Sequence, residues 1–236
     1  MENVVLIIGA MEDIELCYLI NKLMNKKEIL YQGFKFYEGE MLKNKIVICE
    51  CGIGTINSAT ALTISIEKYK PRIIINNGLS GGYTEEIRKG EIVVGVDVID
   101  ITVLDYKGTG NTMEDYEITT FLHGESNKIV MPKACNKIIK LIRRNFENEK
   151  LHFGRLASGN IWNKNKERIQ YIHNKYGAIC EDMESISIYK VADIYKIPAV
   201  CIRGISNNEI LDEPYDYLVS DKMQKFTERL IELICK

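Results

Sequence analysis

Ala178-Ile-Cys-Glu-Asp-Met-Glu184 is followed, one helix length later, by Ala199-Val-Cys-Ile-Arg-Gly-Ile-Ser-Asn207. The first apolar run delivers three carboxylates at its end, and the second delivers Arg203, Ser206 and Asn207. In a sheet of parallel strands, ligands sit outside the carboxyl ends, so this spacing predicts two neighbouring strand tips converging on one polar pocket. A carboxylate such as Glu184 suits sugar hydroxyls there, because it accepts through several lone pairs. Asn207 suits a heterocycle.

The same alternation extends along the chain. Apolar runs rich in Val and Ile recur at Val4–Ile8, Lys45–Cys49, Arg72–Asn76, Glu91–Val98 and Ala199–Ile205. Between them, helical period covers Met11–Met24, Ile56–Tyr69, Cys135–Phe146, Lys164–Tyr176, Met183–Ile194 and Tyr217–Cys235. The pattern predicts an α/β layered fold with a mixed, largely parallel sheet, and continuous apolar strands predict that both faces are covered. Tyr37–Lys45 reads as a hairpin. From Asp105 to Glu125, glycines and threonines break any period, which predicts a long surface excursion of the kind that serves as a lid or oligomer contact. Residues 1–236 read as a single domain, with no linker, repeat or low-complexity tract.

With 31 basic and 33 acidic residues the chain lacks the electrostatic footprint of a nucleic-acid binder. Lys22, Lys26 and Lys27 read as a solvated helix face. No run approaches the roughly 20 apolar residues that span a bilayer, so no membrane partner is expected. The start, Met1-Glu-Asn-Val-Val-Leu-Ile-Ile8, carries an acid where a signal peptide needs bases and reads as the first strand of a cytoplasmic protein. Seven cysteines, an odd number mostly inside apolar segments, read as free thiols in a reducing compartment. Cys49 and Cys51 have no companion cluster, so no metal is expected. His123, His152 and His173 are scattered and read as surface or satisfied side chains.

Three glycine-bearing segments follow three of the runs. In Gly9-Ala-Met-Glu-Asp-Ile-Glu15, small residues let a ligand approach backbone N–H groups. Glu12 and Asp13 read as acids that stabilise a helix start. Glu15, next to Leu16, is placed to face inward, where burial would raise its pKa and make it a general base. Cys51-Gly-Ile-Gly-Thr-Ile-Asn-Ser58 and Asn76-Asn-Gly-Leu-Ser-Gly-Gly82 read as further turns that admit a ligand. Ser158-Gly-Asn-Ile-Trp162 carries the only tryptophan, with a core role and a stacking role on a flat ring both open. Among Glu181, Asp182 and Glu184, helix capping, metal binding and a ribose clamp compete, and the clamp is preferred to metal.

In this order, Ile8-Gly-Ala-Met-Glu12, Cys51-Gly-Ile-Gly54, Ile75-Asn-Asn-Gly-Leu-Ser-Gly-Gly82, Lys89-Gly-Glu-Ile-Val-Val94, Ser158-Gly-Asn160, Glu181-Asp-Met-Glu184 and Arg203-Gly-Ile-Ser-Asn207 resemble the purine nucleoside phosphorylase superfamily. The likeness is greatest to its methylthioadenosine/S-adenosylhomocysteine nucleosidase branch. The resemblance implies a three-layer α/β/α sandwich with a central mixed sheet, a cofactor-free homodimer, and cleavage of the N-glycosidic bond of a small-molecule purine nucleoside. By position it implies Met183 and Glu184 on the ribose and Trp162 stacked on the base. Met11, Ile53, Ser80, Gly81, Arg203 and Ser206 would bind substrate, and the backbone around Trp162 and Asn163 would read the base edge.

Two departures bear on the chemistry. Where the nucleosidases carry a purine-protonating Asp, this chain has Asn207, an amide that cannot deliver a proton. The change leaves adenine and a 6-oxopurine as alternatives. An ungapped match puts Ile14 where the water-activating Glu belongs, whereas a one-residue insertion puts Glu15 there and improves the apolar register of Leu16, Leu19 and Leu23. The implied activity is hydrolysis of methylthioadenosine/S-adenosylhomocysteine-like nucleosides. A 6-oxopurine phosphorylase and a nucleoside-binding homologue without turnover are the alternatives. The arginines a phosphate pocket needs are missing from Gly9–Glu12 and from Asn76 and Asn77.

Overall fold

The computed structural model describes residues 3–102, 120–122, 125–127 and 131–235. The first apolar run forms β1 (Val5–Gly9), buried throughout. Val5 and Ile7 face one core and Leu6 and Ile8 the other, so the strand has to be covered on both sides. A π-helical turn (Glu12–Leu16) leads into α1 (Cys17–Lys22). Then come β2 (Met24–Tyr31), β3 (Phe34–Met41), β4 (Asn44–Glu50), α2 (Thr55–Tyr69), β5 (Ile73–Gly82) and β6 (Ile92–Asp100). A short ribbon, β7 (Thr120–Leu122) with β8 (Glu125–Asn127), precedes α3 (Asn136–Asn145) and β9 (Leu151–Ser158). The chain ends with α4 (Lys166–Tyr176), β10 (Ala178–Asp182), α5 (Ser185–Ile194), β11 (Ala199–Asn208) and α6 (Ser220–Ile234).

The main sheet runs β10-β9-β6-β11-β5-β1-β4-β3-β2. Pairings β1–β4, β1–β5, β5–β11, β6–β9 and β9–β10 are parallel, while β2–β3, β3–β4, β6–β11 and β5–β10 are antiparallel. Helices α1, α3 and α6 cover one face and α2 and α5 the other; α4 packs on a smaller cluster with Ile99, Ile101 and Ala178. This is the three-layer α/β/α sandwich.

The hairpin expected at Tyr37–Lys45 turns at Leu42 and Lys43, both left-handed. Two expectations are corrected. Lys26 and Lys27 lie on β2 rather than on a helix; charged residues on an exposed edge strand keep it from pairing with another chain. Asn76–Gly82 is no turn but the continuation of β5. Its polar, glycine-rich composition conceals a strand because buried side chains crowd it: a Cβ on Gly78 would lie 2.8 Å from Arg203 Nη1. The excursion expected between Asp105 and Glu125, and His123, lie largely or wholly outside the described residues. His152 pairs with Glu91 (2.7 Å) and His173 with the Ala178 carbonyl (2.9 Å).

Candidate active site

The ends of β1, β5, β10 and β11 open onto a cavity of about 270 Å³. Glu15 and Glu184 both line it and both are buried. Glu15 owes its place to the π-helical turn. Bonding from i to i+5 accommodates one residue more than an α-turn, after which Leu16, Leu19 and Ile20 resume their register on the core. Its Oε2 accepts from the Ala10 and Met11 N–H groups (2.7 and 3.2 Å) and its Oε1 from Leu79 N–H (2.8 Å). Ile14 stays off the cavity wall, and its carbonyl accepts from Gln224 (2.9 Å). The structure thus brings Glu15, not Ile14, to the cavity.

Glu184 caps the junction of β10 and α5, where its Oε1 accepts from Gly54 N–H (2.8 Å). Gly54 has φ +99°, a conformation that favours glycine, so the Cys51–Gly54 turn aims a backbone N–H at the carboxylate. Burial, then the neighbouring Asp182 and Glu15 charges, push Glu184 up to about 8. Burial likewise raises Glu15, although its three N–H donors and Arg203 oppose the shift.

Asp182, which lines the cavity, forms an ion pair (2.7 Å) with Arg203, both side chains fully buried. Arg203 also donates to Asn76 Oδ1 and Ser185 Oγ, and Asp182 accepts from Ser158 Oγ and from the Glu184 and Ser185 N–H groups. Arg203, expected against substrate, is absent from the cavity wall, because Asp182 draws its guanidinium under the floor. Asn163 departs too: its N–H donates to Glu181 Oε1 (2.7 Å) and its Nδ2 to Glu181 Oε2, so it does not reach the cavity.

Residues 4–236 match the family described as the phosphorylase superfamily. The chain belongs to that superfamily. Among the relatives of this superfamily member, the 5'-methylthioadenosine/S-adenosylhomocysteine nucleosidase of Bacillus thuringiensis subsp. konkukian is 27% identical over 208 residues, 85% of this chain and 84% of the relative. An Asp-to-Asn mutant of the Helicobacter pylori nucleosidase, solved with 5'-methylthioadenosine in its active site, superposes with a TM-score of 0.83 at 18% identity, covering 98% and 99% of the two chains. The futalosine hydrolase of Helicobacter pylori superposes with a TM-score of 0.79 at 18% identity, covering 99% and 97%.

Other sequence-chosen residues of this phosphorylase-superfamily chain meet at the cavity: Met11, Ile53, Ser80, Gly81, Trp162, Met183, Ser206 and Asn207. Ile53 and Trp162 stand half exposed at its mouth, and Trp162 packs on Tyr215 with ring centroids 5.5 Å apart. The register of β11 shifts between Ile205 and Asn207, the kind of irregularity that re-aims a side chain. There Ser206 Oγ donates to Asn207 Oδ1 (2.9 Å). Glu181, one of the three acids weighed on sequence but not chosen for the site, also lines the cavity; a charged residue inside an apolar strand pattern was its signal. Burial pushes it up to about 7, against hydrogen bonds from Tyr83 and Asn163. Leu79 and Ile161, inside quoted motifs but given no role on sequence, complete an apolar rim with Tyr215. Among the described residues, no group of three or more His, Cys, Asp or Glu is arranged to hold a metal ion.

Proposed function

We propose that this chain is a purine nucleosidase that hydrolyses the N-glycosidic bond of methylthioadenosine/S-adenosylhomocysteine-like nucleosides and releases the free base. The observation that carries the reading is the pair Glu15 and Glu184, two buried carboxylates on one cavity wall held by backbone N–H groups. Glu184, with Met183, holds the ribose hydroxyls, and its negative charge favours the oxocarbenium-like sugar formed as the C–N bond breaks. Glu15 takes a proton from the water whose oxygen attacks the anomeric carbon, while the bonding electrons leave with the purine. Trp162 stacks on the base, and Asn207, braced by Ser206, hydrogen-bonds the departing heterocycle. The apolar rim of Met11, Ile53 and Tyr215 suits a thioether at the 5' position.

Water is favoured over phosphate as acceptor. Among the described residues lining the cavity, none is Lys, Arg or His, and a phosphate pocket without a cation is electrostatically poor. Arg203, the nearest candidate, is engaged by Asp182. We take the protein to be cytoplasmic and homodimeric; free thiols support the first and exposed Ile53, Ile56 and Leu218 the second, and sedimentation tests the dimer. The deciding assay incubates the protein with 5'-thioether nucleosides with and without phosphate. Free base and free sugar in both buffers are expected; a strict phosphate requirement, or no release, refutes the reading.

A further inference from the structure

Two side chains of α6 reach across to the segments that hold Glu15. Gln224, buried on the inner side of that helix, meets the junction between the π-helical turn and α1. Its Nε2 donates to the Ile14 carbonyl (2.9 Å), and its Oε1 accepts from the N–H groups of Tyr18 (2.9 Å) and Leu19 (3.4 Å). Ile14 and Tyr18 stand four residues apart, the spacing at which an α-helix bonds C=O to N–H directly. Here one side-chain amide bonds both, as a group inserted into a helical ladder does. Leu16, between them, has φ −129° and ψ −19°, outside the helical region. One turn further along α6, Thr227 Oγ1 donates to Asn77 Oδ1 (2.7 Å). Asn77 lies two residues before Leu79, whose N–H bonds the Glu15 carboxylate.

The extra residue of the π-helical turn explains why an amide stands there. Each residue of an α-helix advances by about 100°. Leu16, Leu19 and Ile20 are fixed in the core, and Gly9 leaves room for the first of them: a Cβ on Gly9 would lie 2.9 Å from Leu16 Cδ2. Were the turn to tighten to α-helical bonding, Glu15 would swing by about 100° against these anchors. Its carboxylate would then leave the N–H groups of Ala10, Met11 and Leu79. Keeping the turn wide leaves backbone groups at the junction that must find partners once buried. A glutamine amide supplies a donor and an acceptor together, whereas packing alone would be served by an aliphatic side chain.

We propose that Gln224 is the positioning residue of Glu15, its amide holding open the one-residue bulge that turns this carboxylate into the cavity. The proposal rests on reading Glu15 as the water-activating base and deepens it by naming what keeps the base in place.

The test uses Gln224→Leu, alone and combined with deletion of Ile14. Removing one residue lets the turn close as an α-turn with Glu15 still toward the cavity, so the amide is no longer required. For folded Gln224→Leu, kcat on 5'-methylthioadenosine is expected to fall about 100-fold with KM within about 3-fold, as for a reacting group displaced by about 1 Å. Deleting Ile14 from that variant is expected to bring kcat back to within about 10-fold of wild type. A role confined to docking α6 predicts a lower melt, an unchanged kcat for the folded protein and no rescue, and that result overturns the proposal. Exchange of the Leu79 amide reads the same geometry without substrate. It is expected to quicken at least about 10-fold in Gln224→Leu as the Glu15 bond is lost, and to slow again on deletion of Ile14. If the wild type releases no base, the nucleosidase reading fails and this exchange alone decides; unchanged Leu79 protection in Gln224→Leu, or protection that the deletion does not restore, sinks the proposal. Should Gln224→Leu not fold, Gln224→Asn, one methylene too short to span Ile14 and Tyr18, replaces it with the same expected outcomes.

Discussion

Replacing Arg203 by methionine removes a cation that never meets the cavity, yet the structure predicts that both folding and activity change. In the native chain its Nε lies 2.7 Å from Asp182 Oδ2 and both side chains are fully buried. Deleting one partner of a buried ion pair leaves an uncompensated charge, at a typical cost of about 3–5 kcal/mol. Met keeps most of the volume, so little cavity term is added. Asp182 retains bonds from Ser158 Oγ (2.8 Å), Glu184 N–H (2.9 Å) and Ser185 N–H (2.8 Å), which argues for the lower end, about 3 kcal/mol. For a chain of this size that corresponds to a fall in Tm of roughly 6–12 °C.

The pH dependence follows from the same pair. Burial alone would raise Asp182, and Arg203 with the Ser185 hydrogen bonds overrides it to hold the carboxyl below its usual range. A depressed folded pKa contributes stability that is present above the unfolded value of about 3.9 and is lost as pH falls through the folded one. The difference between wild type and variant is therefore full at neutral pH and shrinks below it. Arg203 also opposes the burial of Glu15 and Glu184, so the acid limb of the pH–rate profile moves to higher pH in the variant. Thermal melts across pH and an activity profile read both effects. A variant melting within about 2 °C of wild type at neutral pH, or one with an unmoved acid limb, would refute the reasoning.

The remaining predictions concern the cavity itself. Because Glu184 is pushed up to about 8 and acts as an acceptor, wild-type kcat/KM should rise with pH toward that value. Glu184→Gln should lower it about 100-fold and lose that limb; a variant with full activity removes the ribose clamp. A carboxyl whose folded pKa is raised contributes stability that declines between about pH 4.3 and its folded value. Melts of Glu184→Gln should therefore exceed wild type above pH 8 and approach it near pH 4; the reverse order contradicts the assigned shift. Trp162 is half exposed, so Trp162→Ala should leave the melt nearly unchanged while raising KM about 10-fold, as expected for a lost stacking face; an unchanged KM means that the base lies elsewhere. Asn207→Asp supplies a group that can carry a proton, and adenine release should accelerate at least about 10-fold. If release stays flat, leaving-group protonation is not what limits turnover on adenine nucleosides.

The layered fold was legible because burial on both faces forces continuous Val and Ile runs, and β1, β4, β6 and β11 fall where those runs are. The exposed edge strand β2 left no such trace. Neither did the polar half of β5, whose glycines answer to Arg203 and Asn208 approaching from β11. Motif order alone placed Glu184, Met183, Trp162, Ser206 and Asn207, since strand tips followed by helices put them at one end of the sheet. The insertion reading at Glu15 was likewise available from apolar register.

Legible in the chain pattern alone were therefore the layered architecture, the superfamily and the strand ends that meet. Tertiary structure alone decided which polar groups reach the cavity. Asp182 holds Arg203 off the cavity wall, Asn163 turns its donors onto Glu181, and Glu181 lines the cavity. A buried charge must find its partner in space, and chain spacing does not say which partner it finds.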